Sequence, residues 1–374
     1  METAAGSTFN KRLLSLDVFR GATVAAMILV NNPGDWGNVY APLLHAHWNG
    51  CTPTDLVFPF FLFIVGVSIA YAISSRKKDP ESRRGLVKKI LIRTLILFGL
   101  GLFLNLFPRF DFSTVRIPGV LQRIALVYMI ASFLFLKLSP RSLAWTGGGL
   151  LLFYYLSMTL IPVPGVGAAS LGPETNLGAW IDRTVLTTSH LWKTSKTWDP
   201  EGIWSTIPAV ATALAGILCG LWLKKEDAPG NKVAWMFTFG FAGILGGLIW
   251  DLFFPINKAL WTSSYVLYAG GWAVSGLATL YWLIDVKDFR RFTTPFVIYG
   301  INAITVFFVS GLVPRILTRI ETVEGMNLRQ WLYETFYTPW FSPVNASLAW
   351  AVSYILGWYL ILWVMYRKNI IIKI

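Results

Sequence analysis

The chain carries three histidines in 374 residues, and two of them share one segment, His45-Ala46-His47-Trp48-Asn49-Gly50. Imidazole is the side chain best suited to moving protons near neutral pH, so a general base is one reading of the pair. The other is a pair of interfacial loop histidines with no chemical role. A metal site is not expected, because His-x-His needs further ligands and none stands nearby. Just downstream, Thr52-Pro53-Thr54-Asp55-Leu56-Val57-Phe58-Pro59 reads as the opening of a helix. Asp55 in the first turn suits the helix dipole, with Thr52 or Thr54 as the cap. Alternatively its carboxylate orients a histidine, as the aspartate of a catalytic triad does.

Ionisable groups also stand inside apolar runs. Ser15-Leu16-Asp17-Val18-Phe19-Arg20-Gly21 puts Asp17 and Arg20 three residues apart, on one helix face, where they can pair. A charge inside a span costs roughly 2.5–3.5 kcal/mol on insertion scales, so such groups are functional candidates. A structural ion pair near the membrane interface and a polar entrance for a charged ligand are both open readings. Further polar islands are Arg116-Ile117-Pro118-Gly119-Val120-Leu121-Gln122-Arg123, Trp198-Asp199-Pro200-Glu201-Gly202, Asn257-Lys258-Ala259-Leu260-Trp261-Thr262-Ser263-Ser264 and Gly300-Ile301-Asn302-Ala303. Most fall near the outer ends of different spans, which suggests one shared polar pocket.

The elements that must position these residues are membrane helices. The chain is 55% hydrophobic and only 14% charged, against ~25% charged in soluble domains. A span needs roughly 20 mainly apolar residues. About ten are expected, over 13–32, 54–75, 86–106, 118–138, 142–161, 202–223, 232–253, 263–284, 295–313 and 347–366. The expected fold is an all-α polytopic bundle. A cytoplasmic segment 1–12 and tail 367–374 flank one transmembrane domain, 13–366.

Lysine and arginine orient it. Clusters at Lys11-Arg12, Arg76–Lys89, Lys137 and Arg141, Lys224-Lys225 and Lys232, Lys287–Arg291 and Arg367–Lys373 alternate with outer loops. By the positive-inside bias, both termini are cytoplasmic. The formal charge of +13 is therefore a topology signal, and no nucleic-acid partner is expected. The stretch after Lys11-Arg12 lacks a cleavage site and reads as a retained first helix. Cys51 and Cys219 form no redox or metal motif. No internal repeat is evident. The outer loops, 33–52, 107–117, 162–201, 254–262 and 314–346, are rich in Pro, Gly, Trp and Asn, and the longest shows no periodicity and reads as structureless, a character typical of binding loops.

In order along residues 11–366, Asp17-Val18-Phe19-Arg20-Gly21, Val30-Asn31, His45–Gly50, Asp55–Pro59, Gly119–Arg123, Pro200-Glu201-Gly202, Asn257–Ser264 and Gly300–Ala303 resemble the transmembrane acetyltransferases of the heparan-α-glucosaminide N-acetyltransferase family, including its bacterial NagX-type members. The resemblance implies transfer of acetyl from cytosolic acetyl-CoA to a glucosamine-type amine on the far side of a bacterial inner membrane. It makes His45 the catalytic histidine, Asn31 the active-site asparagine and Asp55 its aspartate. His47 stands where the family commonly has serine. Arg20, Gln122, Arg123, Lys258, Trp261, Ser263, Ser264 and Asn302 are then expected on the acetyl-CoA side. Trp48, Asn49 and Glu201 are expected on the sugar side.

Physical chemistry runs the same way. The phosphates of acetyl-CoA cannot cross lipid, and a basic inner face attracts them. A long pantetheine arm can thread between spans to an outward imidazole, while an asparagine amide holds the developing oxyanion. Tryptophan suits sugar faces. The alternatives are an O-acetyltransferase of an envelope polysaccharide and, from another class, a sugar or small-anion transporter, which would want discontinuous helices meeting at the midplane. Expected partners are acetyl-CoA, an aminosugar and the bilayer, with a homodimer left open.

Overall fold

A computed structural model describes residues 13–77, 79–322 and 325–372. The expected N-terminal segment 1–12, Lys78 and Lys373 lie outside them. Thirteen α-helices follow one another: α1 (Leu14–Asn31), α2 (Pro53–Ile73), α3 (Pro80–Leu106), α4 (Val120–Lys137), α5 (Pro140–Leu160), α6 (Leu177–Leu186), α7 (Thr206–Leu223), α8 (Pro229–Asp251), α9 (Ser263–Leu280), α10 (Thr293–Ile301), α11 (Ala303–Leu317), α12 (Leu328–Phe336) and α13 (Pro343–Arg367). Among the described residues there are isolated β-bridges but no sheet. Among the described residues eight helices are long and apolar enough to cross a membrane: α1, α2, α4, α5, α7, α8, α9 with its π-helical extension to Val286, and α13. The pair α10–α11 makes nine if counted as one bent span. The 27-residue α3 covers the place expected for the third span.

Two expectations change. The stretch 295–313, expected as one continuous span, breaks at Asn302 and bends by 79° between α10 and α11. Asn302 itself leaves helical geometry, with φ −113 and ψ 36. The longest outer stretch, 162–201, is not structureless, and neither is 314–346. Each contains a short amphipathic helix, α6 and α12, started by an asparagine cap. The Asn176 and Asn327 side chains accept from the amides of Ala179 and Gln330. A ten-residue helix gives little periodic signal beside prolines and glycines, but one satisfied cap and a packed face stabilise it.

The inner helices are α2 and α7, which pack along each other, while α8 and α13 turn most of their surface outward. Membrane helices gain little from excluding water from one another, so close approach of backbones matters more. Gly66 of α2 shows this, since a Cβ there would sit 2.0 Å from the Ala213 carbonyl oxygen on α7. Gly21 does the same for α1 against α10, at 1.7 Å from the Phe296 carbonyl oxygen. The second contact sets the middle of α1 beside the break at Asn302, and α2 packs against α9 as well.

Candidate active site

The centre of the site lies where the α1–α2 loop enters α2. A 3-10 turn at Ala41–Leu43 is tied to the helix start by two hydroxyls. Thr54 donates to the Pro42 carbonyl at 3.0 Å and Thr52 to the Leu44 carbonyl at 2.7 Å. Gly50 has a φ of +106, a conformation glycine adopts without strain. Its amide donates to Ile256 at 2.7 Å, joining the loop to the segment before α9.

Asp55 performs both of the roles its position suggested. Its Oδ2 accepts from the Thr52 amide at 3.0 Å, one half of a capping box. The same oxygen accepts from the Ala46 amide at 3.0 Å and the Thr52 hydroxyl at 3.1 Å. Its Oδ1 lies 2.6 Å from His45 Nδ1. The Asp55 side chain is 1% exposed and that of His45 is 47% exposed. A buried carboxylate thus holds one ring nitrogen as an N–H donor, which leaves Nε2 as the basic atom on the open side. His47, although exposed, has no hydrogen bond with Asp55.

The proline of the Asp55–Pro59 motif has a matching role. Pro59 lies inside α2 and has no N–H, so the carbonyl four residues back, that of Asp55, loses its helical donor. The buried Tyr265 hydroxyl of α9 donates to it at 2.5 Å.

The segment before α9 supplies the neighbouring cation. Lys258 Nζ lies 3.3 Å from His45 Nε2 and 3.4 Å from Nδ1. Burial pushes this ammonium below its ordinary range, against the opposing pull of Glu201 and Asp55. Asn257 anchors the segment, donating to Asn49 Oδ1 at 3.2 Å and accepting from the Leu260 amide at 2.8 Å. Trp261 follows with φ +55, rare for a bulky residue. It is held by edge contacts with Phe58 and Tyr265 and by donation of its indole N–H to Thr212 at 3.1 Å. Ser263 and Ser264 are fully buried, and their hydroxyls already serve the protein, the first donating to the Leu151 carbonyl and the second pairing with Thr262.

Arg123 lies 5.2 Å from the Trp261 ring. It is 1% exposed and donates to the Gly202 carbonyl at 3.0 Å and to the Ser205 hydroxyl. Among the described residues its Nε and Nη1 have no partner, nor has Nε2 of the adjacent Gln122. Unmatched buried donors of this kind suit an oxygen-rich ligand or ordered water.

An ion cluster that joins two of the polar islands, a pairing not foreseen from the sequence, sits beside them. Arg116 donates to both carboxylate oxygens of Asp199, at 2.8 and 2.6 Å, and to Glu201 at 2.6 Å. Burial works against the guanidinium, but the two carboxylates hold its pKa above the ordinary value. Burial pushes the Asp199 carboxyl up. For Glu201 burial is outweighed by Arg116, Arg123 and Lys258, which hold it below the ordinary carboxylate range. Asp182 of α6 accepts from the Ile203 amide at 2.8 Å, and burial pushes its carboxyl up to about 7. The legible signal was a fixed run of charge, Asp199-Pro200-Glu201, beside a prolyl turn. Its partner, Arg116, is 83 residues away in sequence. Trp48 completes this wall, in edge contact with Trp198 and donating to the Leu171 carbonyl at 3.1 Å.

Asn31 is the last residue of α1, and its exposed side chain has no hydrogen bond among the described residues. It is not tied to His45.

A second space opens among α1, α2, α3, α4 and the α10–α11 break. This cavity of about 640 Å³ is lined by Arg20, Ser68, Arg93, Tyr128 and Asn302 among apolar groups. Arg20 lies 2.5 Å from Asp17 and donates to the Gly300 carbonyl at 2.8 Å. Arg93, not singled out from the sequence, places its guanidinium over Tyr128 at 5.0 Å. Its signal was a charge inside the third apolar run. The cavity reaches from Ile73 to Phe61 along α2. Six residues of helix, about 9 Å, separate Phe61 from Asp55.

The chain is 30% identical to the human protein named heparan-alpha-glucosaminide N-acetyltransferase, over 98% of this chain and 61% of that protein. It is 30% identical to the mouse protein of the same name, over 97% of this chain and 60% of that protein. The chain therefore spans about three-fifths of the length of the curated relatives it matches. A profile of the catalytic region, described as "Heparan-alpha-glucosaminide N-acetyltransferase, catalytic", matches residues 12–248, more than half of the chain and inclusive of His45, Asp55, Arg123 and Glu201. On that match, the polytopic chain described above belongs to the heparan-alpha-glucosaminide N-acetyltransferase catalytic family.

Proposed function

We propose that this protein is a membrane-bound acetyltransferase that takes acetyl from acetyl-CoA on one side of the bilayer and gives it to the amine of a glucosamine-type sugar on the other. The observation that carries the reading is His45, held at Nδ1 by a buried Asp55 with the Lys258 ammonium 3.3 Å from Nε2, where Asp55 itself stands about 9 Å of helix from the end of an arginine-bearing cavity. Family membership supports it. The side reached by the sugar is the periplasmic one, and the membrane is a bacterial inner membrane.

In this reading the amine nitrogen attacks the thioester carbonyl carbon, and His45 Nε2 takes the proton that the nitrogen releases. The carbon–sulfur bond breaks as the tetrahedral intermediate collapses, and the imidazolium returns its proton to the departing thiolate. Asp55 stabilises the imidazolium and fixes its tautomer. The oxyanion is held by donors on the open side of the ring, Asn31 and the Lys258 ammonium. Arg20 and Asn302 line the cavity that takes the pantetheine and nucleotide. Gln122, Arg123 and Trp261 lie deeper, with Ser263 and Ser264 shaping the bed beneath Trp261. Trp48, Asn49 and Glu201 face the sugar, and the half-charged wall of Arg116, Asp199 and Glu201 suits a partner carrying an ammonium and several hydroxyls.

The test is turnover of radiolabelled acetyl-CoA by purified protein with a panel of aminosugars. Labelled N-acetyl product is expected. Label found only on sugar hydroxyls would replace this reading with an envelope O-acetyltransferase.

One observation favours a transporter instead. The broken α10–α11 span is the device by which transporters place a site at mid-membrane. Sugar counterflow in proteoliposomes without acetyl-CoA separates the two readings.

A further inference from the structure

The helix α13 ends in a way that returns the chain to the inner cavity. Asn369 has a φ of +53, in the left-handed region. The Ile370 amide donates to the Met365 carbonyl at 2.8 Å and the Asn369 amide to the Tyr366 carbonyl at 3.1 Å. These are the two bonds of a Schellman motif, with asparagine in the place more often taken by glycine. The turn points Ile370–Ile372 at the break between α10 and α11. There Asn302 Nδ2 donates to the Ile370 carbonyl at 3.1 Å, and the Ile372 amide donates to Asn302 Oδ1 at 2.9 Å. Both polar atoms of a buried asparagine are thereby spent on one stretch of backbone. Ile371 and Ile372 line the cavity opposite Arg20, Arg93 and Tyr128.

We propose that Ile370–Ile372 is a wall of the acyl-CoA cavity, and that Asn302 is a positioning residue that acts through this segment. The segment is not a plug, because about 640 Å³ stays open with it in place. Its apolar side chains, each close to half exposed, offer surface to a pantetheine chain or an adenine face. The arginines on the facing helices offer charge to phosphate. Holding the wall before the ligand arrives removes an ordering cost from binding. The identity of the ligand rests on the acetyltransferase reading, whereas the wall itself does not.

The experiment uses purified full-length protein in detergent, with Cys51 and Cys219 replaced by alanine and Ser68→Cys as a reporter inside the cavity. The rate of labelling by a polar maleimide reads how open the cavity is. Protection by acetyl-CoA reads its affinity. Three changes are compared: a stop after Asn369, Asn302→Ala, and Ile372→Pro, which removes the amide that donates to Asn302 together with the Ile372 side chain. Labelling should quicken and the acetyl-CoA affinity should weaken by about tenfold in each, the scale of one or two lost neutral hydrogen bonds. Combining the stop with Asn302→Ala should add nothing further, since both break one contact. Unchanged labelling after the stop overturns the wall. Tighter acetyl-CoA binding after the stop overturns it in favour of an autoinhibitory plug. Additive losses overturn the positioning role and make Asn302 a direct ligand contact. If acetyl-CoA fails to protect the parent reporter, the ligand is wrong, and the labelling rates alone still decide for or against the wall.

Discussion

The Tyr265 hydroxyl donates to the main-chain carbonyl of Asp55, the one carbonyl in the first turns of α2 that Pro59 leaves without a helical donor. A hydroxyl on α9 therefore closes a gap in α2 directly beneath the carboxylate that holds His45. Through it the proline, the aspartate and the histidine form one mechanical unit, built from three elements.

This relationship predicts the behaviour of Tyr265→Phe. The change keeps the ring, which packs against Trp261, and strips only the hydroxyl. An unsatisfied buried carbonyl costs about 1–3 kcal/mol. The melting temperature of the purified protein should fall accordingly, and turnover should drop with KM for acetyl-CoA little changed. A variant with wild-type stability and rate would mean that the Asp55 carbonyl finds another donor.

The chemistry predicts the order of severity among histidine variants. His45→Ala should lose on the order of 10²–10⁴ in rate, the usual contribution of a general base. Asp55→Asn should also be severe, since an amide NH2 turned toward Nδ1 donates to it and holds the opposite imidazole tautomer. His47→Ala should keep most of its activity. Asn31→Ala should lose roughly 10²–10³, as for other oxyanion donors. Steady-state turnover of all four settles the assignment, and a dead His47→Ala beside an active His45→Ala would reverse it.

Arg116 predicts a folding defect. Its removal leaves Asp199 and Glu201 facing each other in a buried wall. Breaking a buried pair from one side typically costs 3–5 kcal/mol. Arg116→Met should therefore yield little folded protein, and the added Asp199→Asn and Glu201→Gln should recover much of it. Size-exclusion profiles of the single and triple variants give the comparison. A well-folded Arg116→Met would show the cluster to be dispensable for stability.

Asp182 predicts a pH dependence. Burial holds its carboxyl at about 7 in the folded protein, against ~3.9 in an unfolded chain. Between those values the folded form binds more protons than the unfolded one, so this group's contribution makes stability fall as pH rises. The full loss, on the order of 3–4 kcal/mol, is reached just above pH 7. Asp182→Asn keeps an oxygen for the Ile203 amide and removes the titration. Its melting temperature should match wild type only below about pH 4, pull ahead as pH rises through the window, and exceed it most at about pH 8. Parallel pH curves for the two proteins would exclude Asp182 as the group responsible.

The orientation of the bundle predicts labelling. Trp180 lies on α6, between α5 and α7, in the longest segment assigned to the outer side. In a cysteine-free background, Trp180→Cys should react with an impermeant thiol reagent applied from outside intact cells. Reaction only from the cytoplasmic face would invert the topology drawn from the lysines and arginines.

The all-helical class and the membrane location were legible in the sequence because they depend on local properties, whereas the choice of His45 rested on the family resemblance. Apolar runs of the length of a bilayer are helices for want of any other way to satisfy their backbone. A capping threonine before Asp55 and the proline after it are likewise written within eight residues. The short helices α6 and α12 escaped notice because a helix of nine or ten residues draws its stability from its cap and its packed face, and only the first is local. The break at Asn302 was hidden for a related reason. Residues 295–313 are apolar apart from Asn302, Thr305 and Ser310, and the bend goes with Arg20 reaching the Gly300 carbonyl and with the returning Ile370–Ile372. Tertiary structure brings Asp55 to His45 and not to His47, the pairing the resemblance implied, and it alone decided that Lys258 stands over the ring and that Arg116 meets Asp199 and Glu201 across more than 80 residues. Those pairings follow from which helix ends meet at one face of the bundle, and helix meetings are set by backbone contact at residues such as Gly21 and Gly66, whose significance shows only once a partner is in place.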